Sequence, residues 1–437
     1  MMRQYLSTPD AAATFDFLAN YIQLKRIGDQ DVPRVRHWLS NPDVFAKGGG
    51  TAKAAREDKA DIVHEATHFL DATTTMWGLE YQYRKSLVSE ALINGKDPAQ
   101  ALDVFMLNTA EIDSHHALMN KVRDGRLVGA TMRHIASQHE FFGPLITARF
   151  ELGGSAIQDV PLSMLSVLET NAVANEVLSK LLDCELIADE DDRLVSMAHV
   201  ESEFKDCLND QDLTEYTVFL HLIDRMCAGR SLKDKMTLAA RLVRMVLDFS
   251  SFDLAFLAPV LRRTFVNEVA GGAITMDMSR GSSRPAALFK LIILLDGYLA
   301  TRPPLERDQA LQSFQDYPEL LILELTGEPF DRFSVPCEIE FDNYMKRLCE
   351  DYGLVDHVVV PASVAHNRPL AFSGDYATNF FDYAIVDPLT PDGVPLGLPN
   401  KLDVPIVQLL DDRMTMLSQV NALYSKTKPA KFFVAFE

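Results

Sequence analysis

The chain has 437 residues, with 42 lysines and arginines against 62 aspartates and glutamates, which gives a formal net charge of −20. Hydrophobic residues make up 47% and charged residues 24%, the proportions of a soluble globular protein, and the length predicts more than one domain. The negative charge argues against a nucleic-acid backbone or an anionic membrane surface as a main partner.

Cysteine usage and the N-terminus indicate the compartment. The first ten residues, MMRQYLSTPD, lack the apolar segment of a secretory signal. The longest apolar run, residues 286–300, is interrupted by Lys290 and Asp296 and is too short to span a bilayer. We therefore expect a cytoplasmic protein without a membrane segment, and no feature of the sequence points to a particular oligomeric state. The cysteines contain no C-x-x-C pair and are scattered, so they indicate neither a disulfide framework nor a cysteine zinc site: Cys184, Cys207, Cys227, Cys337 and Cys349.

The N-terminal part of the chain predicts two helical regions. A first helix is expected from Ala11 to Gln23, and the run of three glycines at 48–50 marks a flexible break. From Thr51 to Ile93 the sequence is rich in Ala, Glu, Lys and Leu, which predicts one long or once-broken helix.

His64, Glu65 and His68 form the pattern H-E-x-x-H inside this second helical region. Residues four apart lie on one face of a helix, so the two imidazoles can bind one Zn²⁺ from the same side. Glu65 then lies beside the metal, where it can act as general base towards a zinc-bound water. A surface helix with a histidine pair and no metal is the alternative. The flanking residues at 62–63 and 69–70 are all apolar, which favours the metal site.

The next segment carries four further histidines. Residues 94–98 predict a turn, 99–107 a helix, and Glu111 to Phe142 another helix. His115 and His116 are adjacent, hence on different helix faces, and are expected to be solvated. His139 could donate a hydrogen bond to a developing oxyanion, and a structural role is the ordinary alternative for it and for His134.

The helix predicted from Val160 to Ile187 supplies the candidate third ligand. Its first half is apolar nearly all round, which is typical of a buried helix, and Glu169 is the only charged residue there. A lone carboxylate in such a setting is costly unless it pairs with a cation or binds a metal. Because a catalytic zinc typically takes three protein ligands, Glu169 is the best candidate. Glu176 is the second candidate, although it could instead pair with Lys180.

The residues after His68 exclude one class of zinc peptidase. That class places a Gly three and a His six residues after the second motif histidine, where this chain has Asp71 and Thr74. Asp71 could accept a hydrogen bond from a ligand imidazole, or it could simply end the first helical segment. Serine-nucleophile and phosphate-loop motifs are also missing from the sequence.

An H-E-x-x-H helix followed by a glutamate on a later helix resembles the gluzincin group of zinc metallopeptidases. The Glu-x-x-Ala at 169–172 also resembles the ligand helix of several bacterial members, including the ImmA/IrrE-type peptidases. The resemblance covers these two short helices, about a tenth of the chain. It implies Zn²⁺ held by His64, His68 and Glu169, with Glu65 as general base in the hydrolysis of a peptide or protein substrate.

The remainder of the chain predicts helices followed by a mixed region. The stretch from Ala188 to Asp212 is acidic and is expected to be rich in loops. The glycines at 271–272 are expected to separate helices. Helices are predicted at Thr214–Ala228, Leu232–Leu247, Asp253–Phe265 and Ala286–Ala300, and strands at Val358–Val360, Tyr383–Val386 and Phe432–Phe436.

Together these patterns predict a mainly α protein, α+β overall. After an N-terminal segment (1–50) we expect a zincin-like catalytic unit (51–190), a helical region (191–330) and a C-terminal α+β region (331–437). The predicted function is zinc-dependent peptidase activity. The alternative is a non-enzymatic helical interaction or regulatory protein whose metal is structural or absent, which a fourth ligand such as His115, His116 or a cysteine would favour.

Overall fold

A computed structural model describes residues 12–93, 118–123, 125–139, 143–329, 331–351, 358–407, 409–411 and 414. The described chain is mainly α-helical with small antiparallel sheets, which confirms the predicted fold class. The helices are α1 (Val32–Leu39), α2 (Gly50–Thr74), α3 (Met76–Ile93), α4 (Met164–Glu185), α5 (Glu190–Asn209), α6 (Thr214–Met226), α7 (Leu232–Leu247), α8 (Ser251–Arg262), α9 (Glu268–Met278), α10 (Arg284–Ala300), α11 (Pro304–Asp316), α12 (Glu319–Thr326), α13 (Asp331–Lys346) and α14 (Val359–Asn367). The strands are β1 (Ala13–Asp16), β2 (Tyr21–Leu24), β3 (Asn120–Lys121), β4 (Thr131–His139), β5 (Gly143–Leu152) and β6 (Ser155–Pro161). Within this described part, no helix combines the length and apolar composition needed to cross a membrane.

The chain divides into two compact units, each assembled from segments that are distant in sequence. The first comprises Met1–Thr109, Ala172–Ser202 and Asn343–Glu437, and the second comprises Ala110–Asn171 and Glu203–Asp342. The dividing line falls inside α4, which is one continuous helix. The sequence boundaries at residues 50, 190 and 330 stay a prediction.

In the first unit, a hairpin replaces the helix predicted from Ala11 to Gln23. Strands β1 and β2 pair antiparallel, with Ala13 opposite Leu24. Oδ1 of Asp16 accepts hydrogen bonds from the backbone N–H groups of residues 18 and 19, each at 2.9 Å. Asn20 then adopts the left-handed backbone conformation, with φ 55°. The helix prediction was wrong because these turn contacts compete with helical hydrogen bonding.

The once-broken helix predicted from Thr51 to Ile93 is confirmed as α2 and α3. The break is at Thr75, whose backbone is extended (φ −101°, ψ 163°) and whose hydroxyl accepts a hydrogen bond from Gly78 N–H at 2.9 Å. Gly78 packs directly on the end of α2, because a Cβ there would lie 2.2 Å from the carbonyl oxygen of Asp71. The second half of α2, residues 62–74, is buried throughout.

In the second unit, strands replace part of the helix predicted from Glu111 to Phe142. The sheet order is β3-β6-β5-β4, and β4 pairs with β5 from Thr131 opposite Glu151 to His139 opposite Gly143. Along β5, Ile146, Ala148 and Phe150 are buried and alternate with less buried residues, the period of a half-buried strand. The helix prediction failed because this pairing is made with residues that follow the segment.

Several other local predictions also differ from the structure. The acidic stretch 188–212 is mostly helix α5, whose first turn carries Glu190, Asp191 and Asp192, where the helix dipole favours negative charge. The glycines at 271–272 lie inside α9 and do not separate helices. Residues 358–360 begin α14 and do not form a strand, and residues 383–386 contribute only an isolated bridge, Ile385 to Lys401.

The helices predicted between residues 214 and 300 agree with the structure. Those at 214–228, 232–247, 253–265 and 286–300 are recovered as α6, α7, α8 and α10, within three residues at each end. The predictions for residues 94–107 and 432–436 lie outside the described residues.

Candidate metal centre

Helices α2 and α4 lie antiparallel and carry the candidate site on their facing sides. Contacts between them join residues of rising number on α2 to residues of falling number on α4. Because each helix presents one face, residues four or seven apart on it can meet the same partner helix. From one end to the other the pairs are Lys59 with Asp183, His64 with Glu176, and His68 with Glu169.

The three residues named as ligands from the sequence come together. One potential ligand atom each of His64, His68 and Glu169 lies within 4.8 Å of the others. The imidazole rings of the two histidines are 5.1 Å apart and nearly perpendicular. His64 is 8% exposed, and His68 and Glu169 are fully buried.

This donor set fits a divalent metal ion. Two imidazole nitrogens and a carboxylate oxygen are ligands that zinc and several other transition metals accept. In a tetrahedral zinc site, ligand atoms are about 3.4 Å apart. The three candidate ligand atoms here lie within 4.8 Å of one another, which is compatible with that separation. A buried carboxylate is also stabilised by a cation, which a bound metal would supply. The group could therefore hold a metal ion, and its chemistry is compatible with more than one metal.

Glu176, the second ligand candidate, contacts Nδ1 of His64. Its Oε2 lies 3.1 Å from Nδ1 of His64, and its Oε1 accepts a hydrogen bond from Nζ of Lys180 at 2.8 Å. Burial opposes ionisation of this carboxyl group, but Lys180 and His64 together lower its pKa to about 2. Glu176 is therefore an ionised neighbour of His64, and it makes the ion pair with Lys180 that the sequence suggested.

Two phenylalanines of the β1–β2 hairpin pack beside His68. The ring of Phe15 is stacked 6.5 Å from the His68 ring, and that of Phe17 lies 5.7 Å away. These rings surround His68 with apolar groups and restrict its orientation. Neither phenylalanine was predicted at the site, because residues 11–23 were expected to form a helix. Their alternate spacing, two residues apart, was the available strand signal.

Glu65 lies between the two histidines on α2 and is 1% exposed. It is one residue from His64 and three from His68, so it is next to both ligands along the helix. At this position its carboxylate is shielded from bulk water while remaining on the helix that carries the imidazoles.

Asp71 belongs to the body of α2 and does not end it. Its Oδ1 accepts a hydrogen bond from the hydroxyl of Tyr376 at 2.8 Å. On α4, Oδ1 of Asn175 accepts from the backbone N–H groups of Tyr376 and Ala377, and its Nδ2 donates to the carbonyl of Gly374. These hydrogen bonds hold the segment 374–377 against both α2 and α4. No local sequence motif predicted these contacts, because the residues that make them are 199 to 305 positions apart in the chain.

Of the other histidines considered from the sequence, the structure describes the side chain of His134. His134 is in β4 of the second unit, where its ring contacts Phe289 at 5.0 Å. Burial, followed by the charge of Lys290, lowers its pKa. His139 is the last residue of β4, and its side chain lies outside the described part of the structure, as do His115 and His116.

Comparison with known proteins gives this chain no family. No protein-family model, curated protein or solved structure matches it. The resemblance to gluzincins therefore rests on the sequence motifs, and the structure adds that His64, His68 and Glu169 form a buried group that could hold a metal ion.

Proposed function

We propose that the protein is a zinc-dependent peptidase whose metal is held by His64, His68 and Glu169. The observation that carries this proposal is the convergence of two histidines with a carboxylate 101 residues further along the chain, beside Glu65. Three protein ligands with a neighbouring glutamate is the arrangement used for metal-assisted hydrolysis.

In this mechanism Glu65 moves the proton. When bound, zinc supplies Lewis acidity, which lowers the pKa of a coordinated water and polarises a carbonyl oxygen. The carboxylate of Glu65 accepts a proton from the attacking water and then gives it to the leaving amine nitrogen. The rings of Phe15 and Phe17 pack against His68 and keep bulk water away from that imidazole.

The substrate class that follows is a peptide or protein, hydrolysed at a peptide bond. The scattered cysteines and the net charge of −20 favour a reducing, cytoplasmic setting and a substrate other than nucleic acid.

A structural metal site in a non-enzymatic protein is the second candidate. The near-complete burial of His68, Glu169 and Glu65 favours it, because structural sites are closed to solvent. The two candidates give Glu65 different roles. The peptidase needs its carboxylate as the general base, whereas a structural site needs only the packing of its side chain.

Metal content tests the site. Protein purified without chelator should contain about one zinc per chain by elemental analysis, and His64→Ala or His68→Ala should lose it. His37→Ala, at an exposed position on α1, is the matched control and should keep it. Parent protein that holds no transition metal and gains none from added zinc would exclude both the peptidase and a structural metal site, and would leave a non-enzymatic helical protein without a metal.

Glu65→Gln tests catalysis. The amide keeps the size of the side chain and cannot act as the base, so zinc content should persist while hydrolysis falls by a factor on the order of 10² or more. The readout is the set of new N-termini that appear when cell extract is incubated with parent or variant. Equal cleavage by both proteins, or none by either, would favour the structural site.

A further inference from the structure

The Glu176 carboxylate uses its two oxygens for two different partners. Oε1 accepts from Nζ of Lys180 at 2.8 Å, and Oε2 lies 3.1 Å from Nδ1 of His64. Lys180 is four residues after Glu176 on α4, so this ion pair belongs to one helix face. The contact with His64 crosses from α4 to α2.

This contact selects one tautomer of His64. An ionised carboxylate is only an acceptor, so the hydrogen of the contact belongs to Nδ1. A neutral imidazole carries one N–H, which leaves the Nε2 lone pair of His64 for a metal. Lys180 contributes by holding Glu176 as a carboxylate in this position.

The orientation of His64 depends more on a hydrogen bond than that of His68 does. The ring of His68 is fully buried and packs against Phe15 and Phe17. The side chain of His64 is 10% exposed, and that of Glu176 is 24% exposed, so this end of the site is nearer to solvent. Here a hydrogen bond provides the orientation that aromatic packing provides for His68.

The position of Glu176 on α4 is consistent with this role. Glu169 and Glu176 are seven residues apart and therefore share a helix face. The same face that presents Glu169 to both histidines places Glu176 two turns away, where its Oε2 lies 3.1 Å from Nδ1 of His64.

We propose that Glu176, held by Lys180, is a positioning residue of the metal centre that fixes His64 as the Nδ1–H tautomer with Nε2 available to the ion. The contribution of zinc rests on the proposed function, whereas the choice of tautomer is a property of the metal-free chain. Removing such an outer partner of a ligand histidine costs 10- to 100-fold in metal affinity in other proteins.

The first test uses the metal-free protein labelled with ¹⁵N only in histidine. At pH 8, ¹H–¹⁵N correlations through the ring protons should show His64, assigned by loss of its signals in His64→Ala, with a protonated Nδ1. In Glu176→Leu the Nε2–H form should gain population, and in Lys180→Met the change should be in the same direction and smaller. Glu185→Leu, an exposed carboxylate at the end of the same helix, is the control and should leave the signals unchanged.

The second test is metal affinity. Glu176→Leu should bind zinc about 10- to 100-fold more weakly than parent protein, and Glu185→Leu should not. The visible absorption of the cobalt-substituted proteins should be the same in parent and Glu176→Leu, because the ligands are unchanged. A cobalt spectrum that reports a lost ligand would overturn the proposal in favour of Glu176 as a direct ligand.

The outcomes separate this proposal from the proposed function. An unchanged His64 tautomer in both Glu176→Leu and Lys180→Met would overturn the positioning role, whatever the protein catalyses. A parent protein without zinc affinity would end the peptidase proposal, and the tautomer experiment would still decide the role of Glu176.

Discussion

Nζ of Lys59 lies 2.7 Å from Oδ1 of Asp183, in an ion pair that joins α2 to α4 with both side chains less than 10% exposed. Lys59 also lies over the ring of Phe45, 4.9 Å from its centre. Burial raises the pKa of Asp183 even beside this lysine, so desolvation offsets much of the attraction. We expect the pair to fix the register of α2 against α4, because a slip of one residue along a helix moves a side chain by about 1.5 Å.

Breaking this pair should lower both stability and metal affinity. Asp183→Ala leaves the Lys59 ammonium buried without its carboxylate, which should cost about 3 to 5 kcal/mol of unfolding free energy. The double variant Lys59→Met/Asp183→Leu should recover most of this stability without restoring the register. Thermal unfolding in chelator and zinc titration measure the two effects. Zinc binding by the double variant at parental strength would show that the pair does not set the register.

Glu169→Gln should lower the affinity for zinc and keep or raise the stability of the metal-free protein. Burial, and next the charge of Glu169, raise the pKa of the buried Glu215 to about 8, so the two carboxyl groups disfavour each other's ionisation. Removing the Glu169 charge should therefore keep or raise the melting temperature of the metal-free protein. Zinc affinity should fall markedly, since an amide is a poor substitute for a carboxylate ligand. If Glu169 instead neutralised a buried cation, the variant would keep its zinc and melt at a lower temperature.

Gly78→Ala should destabilise the junction of α2 and α3. The added Cβ would lie 2.2 Å from the Asp71 carbonyl oxygen and 2.6 Å from backbone atoms of Ala72, so α3 would have to move. A loss of about 1 to 3 kcal/mol in unfolding free energy is expected. Gly297→Ala is the matched control in α10, where a Cβ meets nothing within 4 Å, and it should stabilise by about 0.5 to 1 kcal/mol. Equal effects of the two changes would contradict this account.

His221 should make the protein less stable in acid. Its ring packs 5.0 Å from that of Phe150, and burial lowers its pKa from the ordinary 6.5 to about 4. As the pH falls from 6.5 to 4, the unfolded chain takes up a proton that the folded chain resists, so stability is lost in this window, on the order of 3 kcal/mol in total. In His221→Phe this loss should disappear. The difference in melting temperature between variant and parent, measured in chelator, should therefore move in favour of the variant below pH 6.5, with pH 8 as the reference, and a constant difference would contradict the assignment.

The helix-forming and ligand-bearing parts of the site could be predicted from the sequence because their signals are local. The spacing of His64 and His68 places both on one face of any helix, and the apolar residues around them require that the helix be buried. Glu169 was identified in the same way, since an isolated carboxylate in an apolar helix needs a cation or a metal. The predominance of helix also follows from local periodicity.

Only the tertiary structure shows which of Glu169 and Glu176 is grouped with both histidines. Both glutamates lie on the same face of α4, so from the sequence alone either carboxylate could meet the histidines of α2. The axial register of the two antiparallel helices determines which of them meets both histidines, and that register depends on contacts between distant residues such as Lys59 and Asp183. The β1–β2 hairpin and strand β4 were mispredicted for a related reason. Turn contacts and partner strands stabilise them, and such pairings outweigh the helical preference that a local pattern indicates.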